Sequence, residues 1–194
     1  MSVHQQPELK SAILSLPNKE KDKLLLRLIN KDKLLIKRLH FQLLEDESDL
    51  QLRVESLRTQ LKLLFSDAAQ NTANNATAGS IIALSKLVRQ ANGLVNEHEK
   101  VTKDTFSEIE FRMLILREVT ERFALVIGRS HLHASHKLHQ YLAARIKFVF
   151  GKWKKLHEDL RFDFSEDLQQ IISFGYDSPL APYLQQHTIP QTIR

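Results

Sequence analysis

The chain contains no cysteine. Disulfide cross-links, thiol nucleophiles and cysteine-ligated metals are excluded, and the composition fits a reducing compartment. Glycine and proline are scarce, five of each in 194 residues. A glycine-rich phosphate cradle has little material to use, and the motifs G-x-x-x-x-G-K-[ST], G-x-S-x-G and H-E-x-x-H do not occur. Pro7 and Pro17 fit helix first turns, whereas Pro179, Pro182 and Pro190 crowd the C-terminal end. The body is therefore expected to be helical and the end irregular. Unbroken apolar runs reach only a few residues, far short of the ~20 that span a bilayer. The stretch MSVHQQPELK lacks the apolar segment of a secretory signal. These absences lead to the expectation of a cytoplasmic protein without a membrane span or a cofactor.

The residues present are ordinary for a globular chain: 42% hydrophobic and 26% charged. The length suits one domain or two small ones and suffices for a real core. Net charge is +5, unevenly spread. Residues 1–45 carry +4, residues 46–136 carry −1, and 137–157 hold six basic residues and no acid.

The organising stretch is Phe106–Ile127, FSEIEFRMLILREVTERFALVI. At 100° per residue Ile109, Met113, Leu116, Phe123 and Ile127 share one face, with Phe111, Leu114 and Leu125 opposite and Ile115 and Val126 between. A helix apolar in so many directions needs neighbours on several sides and is the natural centre of a bundle. Thr105 and Glu108 read as its capping box, and Gly128 as its end, with Ser130 capping the next helix.

Around it, residues 7–16 read as a short helix opened by Pro7 and stopped at Leu16-Pro17. KDKLLLRLIN (21–30) is echoed by KDKLLIKRLH (31–40), with a break between two helices near 30–33. Ser48 and Gln51 read as a second capping box, followed by a seam of Leu50, Val54, Leu57, Leu61, Leu64 and Ala68. The small polar stretch 66–79 is the loop expected to part an N-terminal helical half (1–65) from a C-terminal one (80–173), although its alanines suit a further helical turn. Ile81, Leu84, Val88, Ala91 and Val95 form another stripe, and Glu97–Asp104 reads as a connector. Residues 136–161 read as one amphipathic helix with Gly151 as a point of kinking; 165–173 come next as a short helix, then a tail over 174–194. The fold class expected is all-α, a multi-helix bundle or short α-solenoid.

LPNKEKDKLLLRLINKDKLLIKRLHFQLLE, with the later KLVRQANGLVNEHEKVTKD and EIEFRMLILREV, resembles the layout of small, uncharacterised all-helical bacterial proteins over the first two thirds of the chain. The resemblance implies an all-α fold and carries no activity or functional residue with it.

Three constellations are candidates for chemistry. Lys147, Lys154 and Arg161, with His136, share the face opposite the apolar stripe of 136–161, flanked by Arg145, Lys152 and Lys155. Such a row can follow a phosphate backbone or an acidic surface. A solvated polar face accounts for the same residues, and neither base-reading motifs nor exposed aromatics for stacking are evident. Secondly, His131, His133, His136 and His139 include i,i+3 pairs able to share a metal. They fan over about 200° of a helix, however, and need carboxylates from elsewhere, Glu118 and Glu121 being the nearest suppliers. Thirdly, Glu118 and Glu121 form an E-x-x-E pair; a second, facing pair that would hold magnesium is missing, and i,i+4 pairing of Glu118 with Arg122 and Arg117 with Glu121 explains it. Taken together, the residues read as a helical binding or scaffold protein whose partner is another protein or a second copy. Polyanion or nucleic-acid binding through Arg145, Lys147, Lys154, Lys155 and Arg161 is the alternative. A metal-dependent enzyme using His136, His139, Glu118 and Glu121 is the third.

Overall fold

The computed structural model describes residues 2–72, 77–128 and 133–193. These form ten α-helices and no strand. After a single 3-10 turn come α1 (Pro7–Ser15), α2 (Asn18–Ile29), α3 (Lys33–Leu44), α4 (Glu47–Thr72), α5 (Ala78–Thr102) and α6 (Thr105–Arg122). Beyond them lie α7 (Ala124–Ile127), α8 (His133–Trp153), α9 (Glu158–Tyr176) and α10 (Ala181–Gln186). The architecture is an all-α bundle, and among the described residues no helix is long and apolar enough to cross a membrane.

The segment α6–α7 is its axis. α6 packs against α4, α5, α8 and α9, four neighbours around its three apolar directions. Ile109, Phe111, Met113, Leu114, Ile115, Leu116, Phe123, Val126 and Ile127 are all buried; Leu125 points outward, and so does Phe106, expected at the margin of the first face. The expected stripes of α4 and α5 face it: Leu57, Leu61, Ile81, Leu84, Val88, Ala91 and Val95 are buried, with Phe65 added to the seam.

Local chemistry sets the helix ends, though not always with the residues expected. α6 is capped by Asp104, whose Oδ1 accepts from the amides of Phe106 and Ser107 at 3.0 and 3.4 Å, rather than by Thr105 and Glu108. A carboxylate at this position also meets the positive helix end. Asp46 takes the role expected of Ser48, accepting from Ser48 N and Asp49 N at 2.8 and 3.2 Å. Asp32 caps α3 and separates the two echoed segments. The alanines after Phe65 do extend α4, which reaches Thr72; residues 73–76 of the expected loop, and the expected cap Ser130, lie outside the described residues.

Three spans differ in extent. Glu97–Asp104 is no connector: α5 runs to Thr102 and turns on Lys103, held left-handed at φ 60°. Gly128 ends α7 in right-handed geometry at φ −60°, so its role is not the left-handed stop. The stretch 136–161 is divided, α8 ending at Trp153 and α9 starting at Glu158. α9 then runs through Gly175, which lies under Leu184 of α10. The segment 174–193 is consequently docked: Leu180, Leu184 and Ile189 are buried in the common core, and Tyr176 donates to the Ile189 carbonyl at 2.5 Å.

Two substitutions test this packing. A Cβ at Gly175 would lie 2.5 Å from Leu184 Cδ1, and Leu184 is itself fully buried. Gly175→Ala should lower unfolding free energy by about 1–3 kcal/mol in urea titration, as overpacking does. Lys103→Gly should raise it by about 0.5–1 kcal/mol, because glycine alone adopts left-handed geometry without steric cost.

Candidate functional site

A cleft of about 850 Å³ lies between α3, α4 and α5. Leu57, Leu94 and Val101 lie along it, while Ile36, Leu44 and Leu52 carry apolar surface to its exposed parts. Its polar residues are tied to one another. Arg53 donates from Nε and Nη2 to the Glu45 carboxylate, and His40 Nδ1 lies 2.7 Å from the same group. The two-pronged bond from Arg53 brings the Glu45 carboxyl down to about 2. Lys37 of α3 reaches Glu97 of α5. His98 places Nε2 2.8 Å from the buried hydroxyl of Ser107, and its burial, aided by the nearby Arg53 charge, pushes the imidazole below its ordinary range.

The cleft adjoins an unusual N-terminal arm. The arm helices lead outward in turn, α3 on α5, α2 on α3, and α1 on the first turn. No residue of α1, α2 or α3 is buried. Leu9, Leu14, Leu25, Leu26, Leu28, Ile36, Leu43 and Leu44 are all exposed, Leu43 and Leu44 by about three quarters. The sequence shows the amphipathic pattern of these helices; that the pattern lacks a cover is visible only in the fold.

The residues singled out from the sequence are dispersed by the fold. Lys147 and Lys154 are exposed, but the end of α8 at Trp153 separates them, so the heptad row does not run along one helix. Arg161 sits half-buried on α9 with its guanidinium 5.8 Å from the Trp153 ring. Trp153 itself is buried, its indole N–H donating to the Arg161 carbonyl at 2.9 Å. Lys155 is exposed in the turn between α8 and α9. Arg145 is half-buried and lies between two rings of its own helix, 5.3 Å from Tyr141 and 5.6 Å from Phe148.

Glu118, Glu121, His136 and His139, considered for a metal, each have their own partner, whereas His133 is exposed at the start of α8. Glu118 is buried and accepts from Arg122, and Glu121 is exposed with Arg117 Nε 3.8 Å away. His136 Nδ1 lies 2.9 Å from the Tyr183 hydroxyl. His139 is buried and donates from Nε2 to the Ile127 carbonyl at 2.7 Å; burial pushes this imidazole down. Among the described residues, no three His, Asp or Glu side chains gather where an ion could sit; His131 lies outside them.

A polar network missed in the sequence lies where α5, α6 and α8 meet. Glu108, 2% exposed, accepts from Arg112 Nε at 2.9 Å and from Lys152 Nζ at 2.7 Å. Arg112 donates onward to Asn92 and Asn96 at 3.0 and 2.8 Å. Burial opposes ionisation of Glu108, but the bonds from Lys152 and Arg112 outweigh it and hold the carboxyl below its usual range. The i,i+4 spacing of Glu108 and Arg112 is legible; the contribution of Asn92, Asn96 and Lys152 is not.

Comparison of the chain with protein-family models, curated proteins and solved structures finds no match.

Glu108→Ala should cost about 3–5 kcal/mol in urea titration, because Arg112 would stay buried without its counter-charge. Replacing both, Glu108→Leu with Arg112→Met, should cost much less. The lowered His98 and His139 have a definite pH signature. Both bases are held neutral when folded, so stability is complete above the unfolded value of about 6.5 and falls as pH drops below it. Thermal melting should therefore decline from pH 7.5 to 5.5, and His98→Gln or His139→Gln should shrink that decline.

Proposed function

We propose that this chain is a helical binding protein whose N-terminal arm and adjoining cleft seat an amphipathic helix of another protein. The observation that carries the reading is the uncovered arm. Helices α1, α2 and α3 have no fully buried residue, yet they present a series of exposed leucines, and Ile36 and Leu44 of α3 carry this apolar surface into the cleft. Ordering helices this short in water is unfavourable without packing, so a surface that covers the leucines also stabilises the arm. Helix-in-groove recognition uses such apolar anchors at i, i+3 and i+4. The polar groups beside the anchors are already bonded to each other, which limits the desolvation cost when water is expelled.

The arm is basic, with Lys19, Lys21, Lys23, Arg27, Lys31 and Lys33 on or between its helices. Carboxylates flanking the partner's apolar stripe would complement it. Leu25→Glu with Leu28→Glu, and separately Leu44→Glu, alter exposed positions and should leave melting within about 1 kcal/mol of wild type. Affinity capture from the native host should recover a defined protein with the wild type and at least tenfold less with either variant. Equal recovery by all three would remove the arm from the interface.

A further inference from the structure

A second outward face, on the side formed by α5 and α8, carries a different chemistry. From Ala78 to Asn96 on α5, and from His133 to His157 on α8 and the turn after it, the chain has no aspartate or glutamate. The same two stretches hold Lys86, Arg89, Lys137, Arg145, Lys147, Lys152, Lys154 and Lys155. The two helices pack directly on each other, and Arg89 of α5 and Arg145 of α8 meet at the Tyr141 ring; Lys147 and Lys154 lie roughly 120° or more round α8 from that point, on its other flank. Among the described residues only Lys152 pairs with a carboxylate, that of Glu108.

Aromatic rings order the central cations. Tyr141, Arg145, Phe148 and Lys152 are spaced at steps of four, three and four, which places them in one stripe of α8. Arg89 of α5 lies 5.2 Å from the Tyr141 ring, and Arg145 lies 5.3 Å from it on the same stripe. Arg145 also lies 5.6 Å from the Phe148 ring, which takes Arg112 at 4.7 Å and Lys152 at 5.6 Å. Nε of Arg145 is buried with no partner in the protein. A carboxylate partner would neutralise a guanidinium; a ring orients it and leaves its charge in place. Arg89 is exposed and Phe148 is 36% exposed, so the stripe reaches the surface.

We propose that this face binds single-stranded nucleic acid. The uncompensated cations take successive phosphates, and counter-ion release drives the association. The half-exposed rings of Tyr141 and Phe148, with the guanidinium groups beside them, give unstacked bases a surface to stack on, which a duplex with its bases paired cannot use. This site is separate from the leucine-bearing arm and does not depend on it.

The test is fluorescence anisotropy of the full chain with a labelled 20-nucleotide U-rich RNA and the matching DNA strand, at 50 and 200 mM salt. Binding to both single strands is expected, weaker by about tenfold or more at the higher salt. Arg89→Gln with Arg145→Gln should weaken it about tenfold, and so should the wholly surface pair Lys86→Gln with Lys137→Gln, which leaves the half-buried Arg145 untouched. Tyr141→Leu with Phe148→Leu should weaken single-strand binding about tenfold while changing heparin binding less than twofold. Circular dichroism and melting confirm that each variant is folded, and Lys62→Gln with Lys100→Gln serves as the control on other surfaces. The proposal is overturned if neither strand binds at 50 mM salt, or if the folded charge variants bind as wild type does. It is equally overturned if duplex, polyphosphate or phosphatidylserine vesicles bind as tightly as the single strands and the ring variants make no difference.

Discussion

A helix that is apolar in three directions cannot sit at a surface, and the architecture results from enclosing α6. Its apolar directions are covered by four neighbours, α4, α5, α8 and α9, and those helices are correspondingly apolar on only one face. Burying Ile109, Phe111, Met113, Ile115, Leu116 and Val119 removes most of the α6 surface from water. At about 1.5–3 kcal/mol per large side chain, this is the dominant local contribution to stability. The C-terminal segment is recruited by the same force, since Leu180, Leu184 and Ile189 close the side of the bundle that α8 and α9 leave open.

Within this apolar centre the Glu108–Arg112 pair is a specific exception. Buried charges contribute little net stability, because desolvation offsets their attraction. Their value here is positional: one carboxylate and one guanidinium tie α6 to Asn92 and Asn96 on α5 and to Lys152 on α8. A sliding movement of any of these helices by one turn would leave a buried charge unpaired. The same network brings Arg112 and Lys152 against Phe148, so the register of the core and the arrangement of the basic face share residues.

The molecule therefore carries two uncovered surfaces of opposite character. The N-terminal arm is built of amphipathic helices too short and too peripheral to reach the core, and its leucines remain in water. The α5–α8 face is wet for the opposite reason, since among the described residues its cations other than Lys152 are kept apart from the carboxylates that would quench them. Apolar recognition and polyanion recognition would thus act at sites using different residues.

Much of the architecture was legible along the chain. Helix periodicity is a local property, so the stripes of α4, α5 and α6 and the breaks at Pro17 and Asp32 are read from spacing alone. Helix ends were less legible: Asp104 lies one residue before Thr105, and both types can cap, so only the backbone geometry selects between them. The heptad row Lys147–Lys154–Arg161 was a product of assuming one continuous helix, and the turn at 154–157 divides it. By itself the sequence determined that the chain forms amphipathic helices around one greasier than the rest, and that its charges are unevenly divided. Only the tertiary structure decided that 174–193 is packed rather than loose, that the arm stays uncovered, and that Arg89 meets Tyr141. Those outcomes depend on contacts between residues distant in the chain, and no local periodicity encodes which faces find a partner.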